Sequence, residues 1–227
     1  MEILKPIFEN INIDLIYGIP YENLNVLENN IIKTLTLKPK HISIYNLEYY
    51  KGTKLFEELN NNNNIYRWSD IKEKKGYLLI RNLLIDNGFM HYEISNFSID
   101  RFQSIHNLNY WLGGEYIGFG LNAYSFYNNS WYKNGNLYFY LNLLKNNELP
   151  LLKREILSKP QIKKVLFILN LRLLSGVNLN KYGNFDDEFY KKLNNLIDKG
   201  LLVSCNNKIK LSIKGILVSN SIFQDLL

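Results

Sequence analysis

Ile11, Ile13, Leu15 and Tyr17 alternate with Asn12, Asp14 and Ile16, and the run stops at Gly18-Ile19-Pro20. Period two with a glycine–proline stop predicts a β-strand. Leu24, Leu27, Ile31 and Leu35 then recur at helical spacing, the apolar stripe of an amphipathic helix. His41 to Tyr45 reads as a second strand, His91 to Ile94 as a third, and Tyr116 to Phe119, set between glycines, as a fourth. Asp70 with Glu73 forms a capping pair for a long helix running to about Asn87, where Gly88 supplies the stop. Strand–helix–strand repetition predicts parallel pairing, hence an α/β layer or barrel. The homopolymeric run at Asn60 to Asn64 is expected to be a solvated loop tip.

The pattern changes near Glu148-Leu149-Pro150, dividing the chain into 1–150 and a smaller part, 151–227. Ser158 and Pro160 make a helix start, and Ile162, Val165, Leu166, Leu169 and Leu173 recur at helical spacing until Gly176. A second helix covers about Asp186 to Lys199 and stops at Gly200. Leu201-Leu202-Val203 and Ile209-Lys210-Leu211 bracket a turn at Asn206-Asn207, and Ser212 opens a closing helix. Helices followed by a short hairpin resemble a small α+β winged-helix domain. The helix that would read a DNA groove carries Asp186, Asp187 and Glu188 beside Lys191 and Lys192, and no Arg, the commonest reader of bases. No nucleic-acid partner is expected.

Composition narrows the classes further. Hydrophobic residues make up 46% of the 227 and charged residues 21%, the balance of a globular chain rather than a disordered or fibrous one. No uncharged apolar run reaches membrane-spanning length and the N-terminus lacks a signal-peptide pattern, so no transmembrane segment is expected and the location is expected to be cytoplasmic. The net charge of +6 is mostly scattered Lys, with no cluster longer than Lys74-Lys75, Lys163-Lys164 or Lys191-Lys192. A count of 34 Asn against a single Ala, Ala123, fits codon bias toward A and T, which also raises Lys. The charge is therefore read as a solvated surface.

Candidate chemistry is sparse. Asp14 lies near the end of a strand, opposite the Ile13/Leu15 row and before a Gly-containing turn. There it either accepts hydrogen bonds from a ligand hydroxyl or ammonium, or caps the following helix. Gly18 suits a tight turn that lets backbone approach a ligand. His41 and His91 fall at strand beginnings and read as structural or exposed; Glu93 either hydrogen-bonds a polar group inside a barrel or pairs with a Lys or Arg. His106 sits in His106-Asn107-Leu108-Asn109-Tyr110-Trp111, ahead of Gly113-Gly114. A neutral imidazole ligates iron, and adjacent aromatic rings stack on a flat macrocycle.

Taken in order, Asn12 to Pro20, His41 to Tyr45, His91 to Phe97, His106 to Trp111 and Gly118-Phe119-Gly120 resemble the haem chaperone family, which is similar to oxygen-independent coproporphyrinogen III oxidase within the radical S-adenosylmethionine (SAM) superfamily. Leu171-Arg172-Leu173 before Gly176 and Leu211 to Gly215 resemble that family's small terminal domain. The resemblance implies the C-terminal half of a radical SAM (β/α) partial barrel followed by the winged-helix-like domain. It implies haem as cargo, with His106 as iron ligand and Asn107, Tyr110 and Trp111 around it. It also implies SAM contact at Asp14, in the strand and turn ending at Gly18, and in the Ala123-Tyr124-Ser125 stretch. The family departs from this chain at Tyr21, Glu22 and Asn23 (usually Gly, Gln and Thr), at Tyr50-Lys51 (Glu-Pro), at Leu121 and Asn122 (Pro and Gly) and at Tyr124 (commonly His).

The family's three-cysteine motif for a [4Fe–4S] cluster and its glycine-rich SAM loop lie upstream of anything here. The single cysteine, Cys205, excludes an internal disulfide and any cysteine-bound cluster built by this chain alone. Half a parallel barrel leaves the Asn12–Tyr17 strand with an unpaired edge and an open apolar face. Either the natural polypeptide is longer, or another chain supplies the first half, or this piece has taken a different role. The expected function is haem binding and delivery to haem-accepting proteins. The alternative is oxidative decarboxylation of coproporphyrinogen III, in which a deoxyadenosyl radical abstracts hydrogen from propionate side chains.

Overall fold

The computed structural model describes residues 3–61 and 66–227, in two compact units, Met1–Ser104 and Ile105–Leu227. The first contains β1 (Asn12–Tyr17), α1 (Leu24–Thr36), β2 (His41–Asn46), α2 (Lys54–Asn61), α3 (Asp70–Asp86), β3 (Met90–Glu93) and β4 (Asn96–Ser98). Its sheet has the order β1-β2-β4-β3. β1 and β2 pair in parallel, Asn12 opposite His41 and Leu15 opposite Ile44, with α1 as the crossover. The expectation of parallel pairing throughout is corrected here. Ile94-Ser95 alone joins β3 to β4, a link so short that the chain must turn straight back, and β4 lies antiparallel to both β3 and β2.

One face of this sheet is apolar. Ile42, Ile44 and Phe97 are buried with Leu27 and Ile31 of α1 and Ile80 and Leu84 of α3. In the apolar row of β1, Tyr17 is buried and Ile13 and Leu15 are half-buried, while its outer edge pairs with no strand among the described residues. A groove of about 420 Å³ runs beside it, lined by Leu15, Tyr17, Leu27, Ile31 and Leu37 among others. The N-cap of α3 is Ser69, whose oxygen accepts from the Lys72 amide. The expected Asp70–Glu73 pair falls instead in the first turn, where carboxylates favour the helix dipole. Asn60 and Asn61 close α2, and 62–64 of the expected loop lie outside the described residues.

The second unit opens with α4 (Ile105–Trp111), followed by β5 (Tyr124–Tyr127), β6 (Ser130–Asn134), α5 (Leu137–Lys145) and β7 (Leu151–Ile156). These strands form an antiparallel sheet in the order β5-β6-β7. Tyr116 to Phe119 is not the expected strand: only Tyr116 bridges to Phe126. A Cβ at Gly118 would meet the Tyr124 carbonyl oxygen at 2.2 Å, so the glycine-rich segment packs backbone to backbone where a strand would need side chains. The change of pattern near Pro150 falls between α5 and β7, inside this unit.

α6 (Lys159–Leu171) starts at a capping box between Ser158 and Gln161 with Pro160 in its first turn. Then come β8 (Val177–Asn178), α7 (Asp187–Asp198), β9 (Leu202–Cys205), β10 (Lys208–Leu211), α8 (Ile213–Ile216) and α9 (Ser219–Leu226). Asp186 caps α7 by accepting from the Phe189 amide, and Gly200 follows its end at φ +68°. The sheet order β8-β10-β9 with the β9–β10 hairpin gives a wing-like element. Its turn, Asn206-Asn207, and that of the β5–β6 hairpin, Asn128-Asn129, hold both central residues at positive φ, the twist a two-residue hairpin needs. Phe167, Leu171, Phe189, Leu193, Leu202, Ile209 and Ile222 are its buried centre. Among the described residues no helix is long and apolar enough to cross a membrane.

Candidate functional site

The H-N-x-x-Y-W segment is α4, and its end is set by glycine. Gly113 takes φ +77°, and the amides of Gly113 and Gly114 donate to the carbonyls of Tyr110 and Asn109 at 3.0 and 2.8 Å. His106 and Tyr110 stand four residues apart on one face of the helix, Asn107 and Trp111 on the next. The His106 imidazole is exposed and meets the Tyr110 ring edge-on at 4.7 Å. Tyr110 in turn meets Tyr116 at 4.5 Å. Burial, with Tyr110 adding to it, raises the Tyr116 hydroxyl above its ordinary pKa, so it stays a neutral donor.

Trp111 is held from α6. Asn170 Nδ2 donates to its carbonyl at 2.6 Å, and the Arg172 guanidinium lies 4.2 Å from its ring centroid, a cation–π contact. α4 is thus anchored through Trp111 while its first turn presents His106 to solvent. Asn170 and Arg172 were not singled out as site residues from sequence. Their link to α4 spans some sixty residues and leaves no local signal beyond Leu171-Arg172-Leu173 itself.

Asp14 and Gly18 belong to the first unit. Asp14 shares the polar face of β1 with Asn12, opposite the Ile13/Leu15 row. Asn12 Nδ2 donates to Asp14 Oδ1 at 2.6 Å, which leaves Asn12 Oδ1 to accept from His41 Nδ1–H at 2.6 Å. The other ring nitrogen, Nε2, then accepts from the Tyr92 hydroxyl at 2.8 Å, and Tyr92 accepts from the Ser104 amide at 3.2 Å. The network assigns the His41 tautomer. Burial lowers the His41 pKa against the opposing pull of the Asp14 carboxylate, so the ring is neutral at pH 7. Asp14 is therefore oriented by a chain reaching across β2 to the loop after β4. The period-two pattern placed Asp14 on its face; the pairing of Asn12 with His41 follows only from register.

Glu93 is fully buried on β3, and its Oε1 accepts from the Ser95 amide at 3.0 Å and from Asn96 Nδ2. Of the two expected roles, these bonds are the polar one. His91 is structural, stacked on Phe97 at 4.1 Å with 9° between the rings.

Gly18 holds φ +81°, and a Cβ there would meet Asn46 Oδ1 at 2.7 Å. Its amide donates to Glu22 Oε2 at 2.9 Å. The next turn, Ile19-Pro20-Tyr21-Glu22, closes with the Glu22 amide on the Ile19 carbonyl at 3.1 Å. Pro at its second position and φ +67° at Tyr21 make it a type II turn. Glu22 supplies an acceptor oxygen as a Gln would, and Asn23 caps α1 on the Val26 amide as a Thr would. Two departures from the family pattern thus keep the local geometry, while Tyr21 occupies a conformation that favours glycine. Asn122 also stands at positive φ, 55°, which Asn tolerates. Tyr124, on β5 in the second unit, is exposed under the Lys133 ammonium at 5.3 Å.

Among the described residues no three His, Cys, Asp or Glu side chains converge as a metal site. Cys205 is exposed on β9.

No family model matches the chain. It is 33% identical over 227 residues to the heme chaperone HemW of Lactococcus lactis and 31% identical over 223 residues to that of Bacillus subtilis. These matches cover 97% and 95% of this chain but 59% and 58% of those proteins, so the chain spans a little over half the length of the curated relatives it matches. The solved structure of coproporphyrinogen III oxidase, HemN, of Escherichia coli, described as a radical SAM enzyme, matches with a TM-score of 0.77. That match covers 96% of this chain and 55% of that one at 18% identity, a likeness of fold. By sequence, and with a fold like that of the Escherichia coli oxidase, the chain is a homologue of the HemW heme chaperones that corresponds to a little over half of their length.

Proposed function

We propose that this chain is the haem-carrying part of a haem chaperone, with His106 ligating the iron and haem-accepting proteins receiving the cargo. The observation that carries this reading is an exposed imidazole on a short, anchored helix with aromatic rings beside it. A neutral imidazole offers its lone pair to iron. The edge contact with Tyr110 restricts its swing, and the bonds from Asn170 and Arg172 to Trp111 keep the helix in place behind it. An exposed ligand also leaves the metal open to a competing ligand from an acceptor, which suits transfer rather than storage. His106→Ala is expected to lower haem affinity while the far-ultraviolet circular dichroism stays unchanged. Wild-type affinity in that variant removes His106 from the account.

SAM and a [4Fe–4S] cluster come with the family. Asp14 fits the former, an exposed carboxylate oriented by Asn12 that accepts from a hydroxyl or ammonium, whereas at Gly18 the space a Cβ would take is filled by Asn46 Oδ1. SAM supplies a sulfonium that a reduced cluster cleaves, and the cluster does not fit this chain, whose one thiol is remote from any second ligand of that kind. No radical step is therefore derived from these residues. We infer that a further segment or a second polypeptide supplies the cluster and pairs with the free edge of β1. Coproporphyrinogen III oxidase activity has the support of a fold likeness at 18% identity alone, and fold does not fix function.

A further inference from the structure

Behind the helix that carries His106 lies a cavity of about 240 Å³ that shares the rings of Tyr110, Trp111 and Tyr116 with the site described above. Its walls include Tyr110, Tyr116, Phe126, Trp131, Val165 and Leu169, and no charged side chain lines it. The loop after α4 closes tightly around it because it carries glycines: a Cβ at Gly113 would meet Leu166 Cδ2 at 2.1 Å. Tyr110 belongs to both places, touching His106 and walling the cavity. One ring therefore separates the metal-ligand position from an apolar hollow.

We propose that this cavity takes the vinyl edge of a haem whose iron is held by His106, with the propionate edge left in solvent; the inference rests on the haem-binding reading above. Haem is amphipathic across its plane, with carboxylates on one edge and vinyl and methyl groups on the opposite one. Apolar walls gain from burying hydrocarbon. The same walls offer a carboxylate no charge partner, which makes burying the propionates prohibitive. The cavity thus selects one orientation of the macrocycle and favours porphyrins with an apolar edge.

The test compares protohaem with deuterohaem, which carries hydrogen in place of both vinyl groups, by Soret titration of the full chain. Deuterohaem is expected to bind about tenfold more weakly for each vinyl group that is buried. Val165→Phe, which narrows the cavity from α6, is expected to bring protohaem down to the deuterohaem level and to leave deuterohaem unchanged. Equal affinities in the wild type, or an undiminished protohaem preference in folded Val165→Phe, overturn the proposal. If that variant fails to fold, the wild-type comparison decides alone. His106→Ala keeps the outcomes apart: equal affinities that both fall in this variant sink the cavity while haem binding stands. Absence of any Soret change in the wild type sinks the haem reading and the cavity with it.

Discussion

Replacing Tyr21 by glycine is expected to stabilise the protein. Tyr21 sits at the third position of the type II turn, with φ +67°, where a Cβ crowds the adjoining backbone. Holding a residue other than glycine there costs about 1–2 kcal/mol. The ring returns little of that, since Tyr21 is 70% exposed. Glycine widens the unfolded ensemble, an offset of about 0.4–1 kcal/mol. The net gain is about 0.5–1 kcal/mol, a rise in melting temperature of about 1–4 °C for a chain of this length. Urea unfolding followed by circular dichroism measures it as a higher midpoint at unchanged slope. Tyr21→Ala is the control, because it removes the ring and keeps the Cβ, and it is expected to fall below Tyr21→Gly by about 1 kcal/mol. Equal midpoints for the two variants would falsify the strain argument, and a glycine variant less stable than wild type would mean that the ring packs better than its exposure allows.

His91 is predicted to make the fold acid-sensitive. Burial pushes its pKa down from 6.5 to about 4, so the unfolded chain binds the proton more readily, and stability present above pH 6.5 is lost as the pH falls toward 4. The loss amounts to about 3 kcal/mol at most. His91→Phe, which keeps the stack on Phe97, is expected to flatten the difference between urea midpoints at pH 7 and pH 4.5; an unaltered difference places the sensitivity elsewhere. Ile16, 52% exposed on β1, lies on the strand with the free edge, where a charge discourages edge-to-edge pairing. Sedimentation velocity is expected to show concentration-dependent association of the wild-type chain and its suppression in Ile16→Lys, and association identical in the two rules that edge out as the contact.

What could be read from the chain was what is local. Ser158 with Pro160, Asp186 before its acidic first turn, Gly200 and Asn206-Asn207 each fix a boundary within a few residues, and each boundary falls where it was expected. Ser69 and Asp70 are adjacent and both suit a cap, so composition did not separate them. The short strands escaped for a different reason. β4 is three residues long and β5 four, too brief for alternation to declare itself, and their identity comes from partners elsewhere in the sequence. The candidate site divides in the same way. His106 and Tyr110 are legible as neighbours on one helix face, and Asp14 on its strand face. The His41–Asn12 bond and the hold of Arg172 on Trp111 depend on pairing and packing that no spacing encodes.

The turns explain how such a chain tolerates its own composition. Among the described residues, six of the nine other than glycine at positive φ are Asn, the side chain that best accepts this conformation after glycine. Where coding drifts toward A- and T-rich codons, glycine is eroded and asparagine enriched, so at a tight bend the replacement that mutation supplies most readily is also the one the backbone accepts. Hairpins such as Asn128-Asn129 and Asn206-Asn207 can then outlast the drift with their geometry intact. Under such mutation pressure the connections become the most forgiving parts of the molecule, and Tyr21 marks a bend where that leniency has run out.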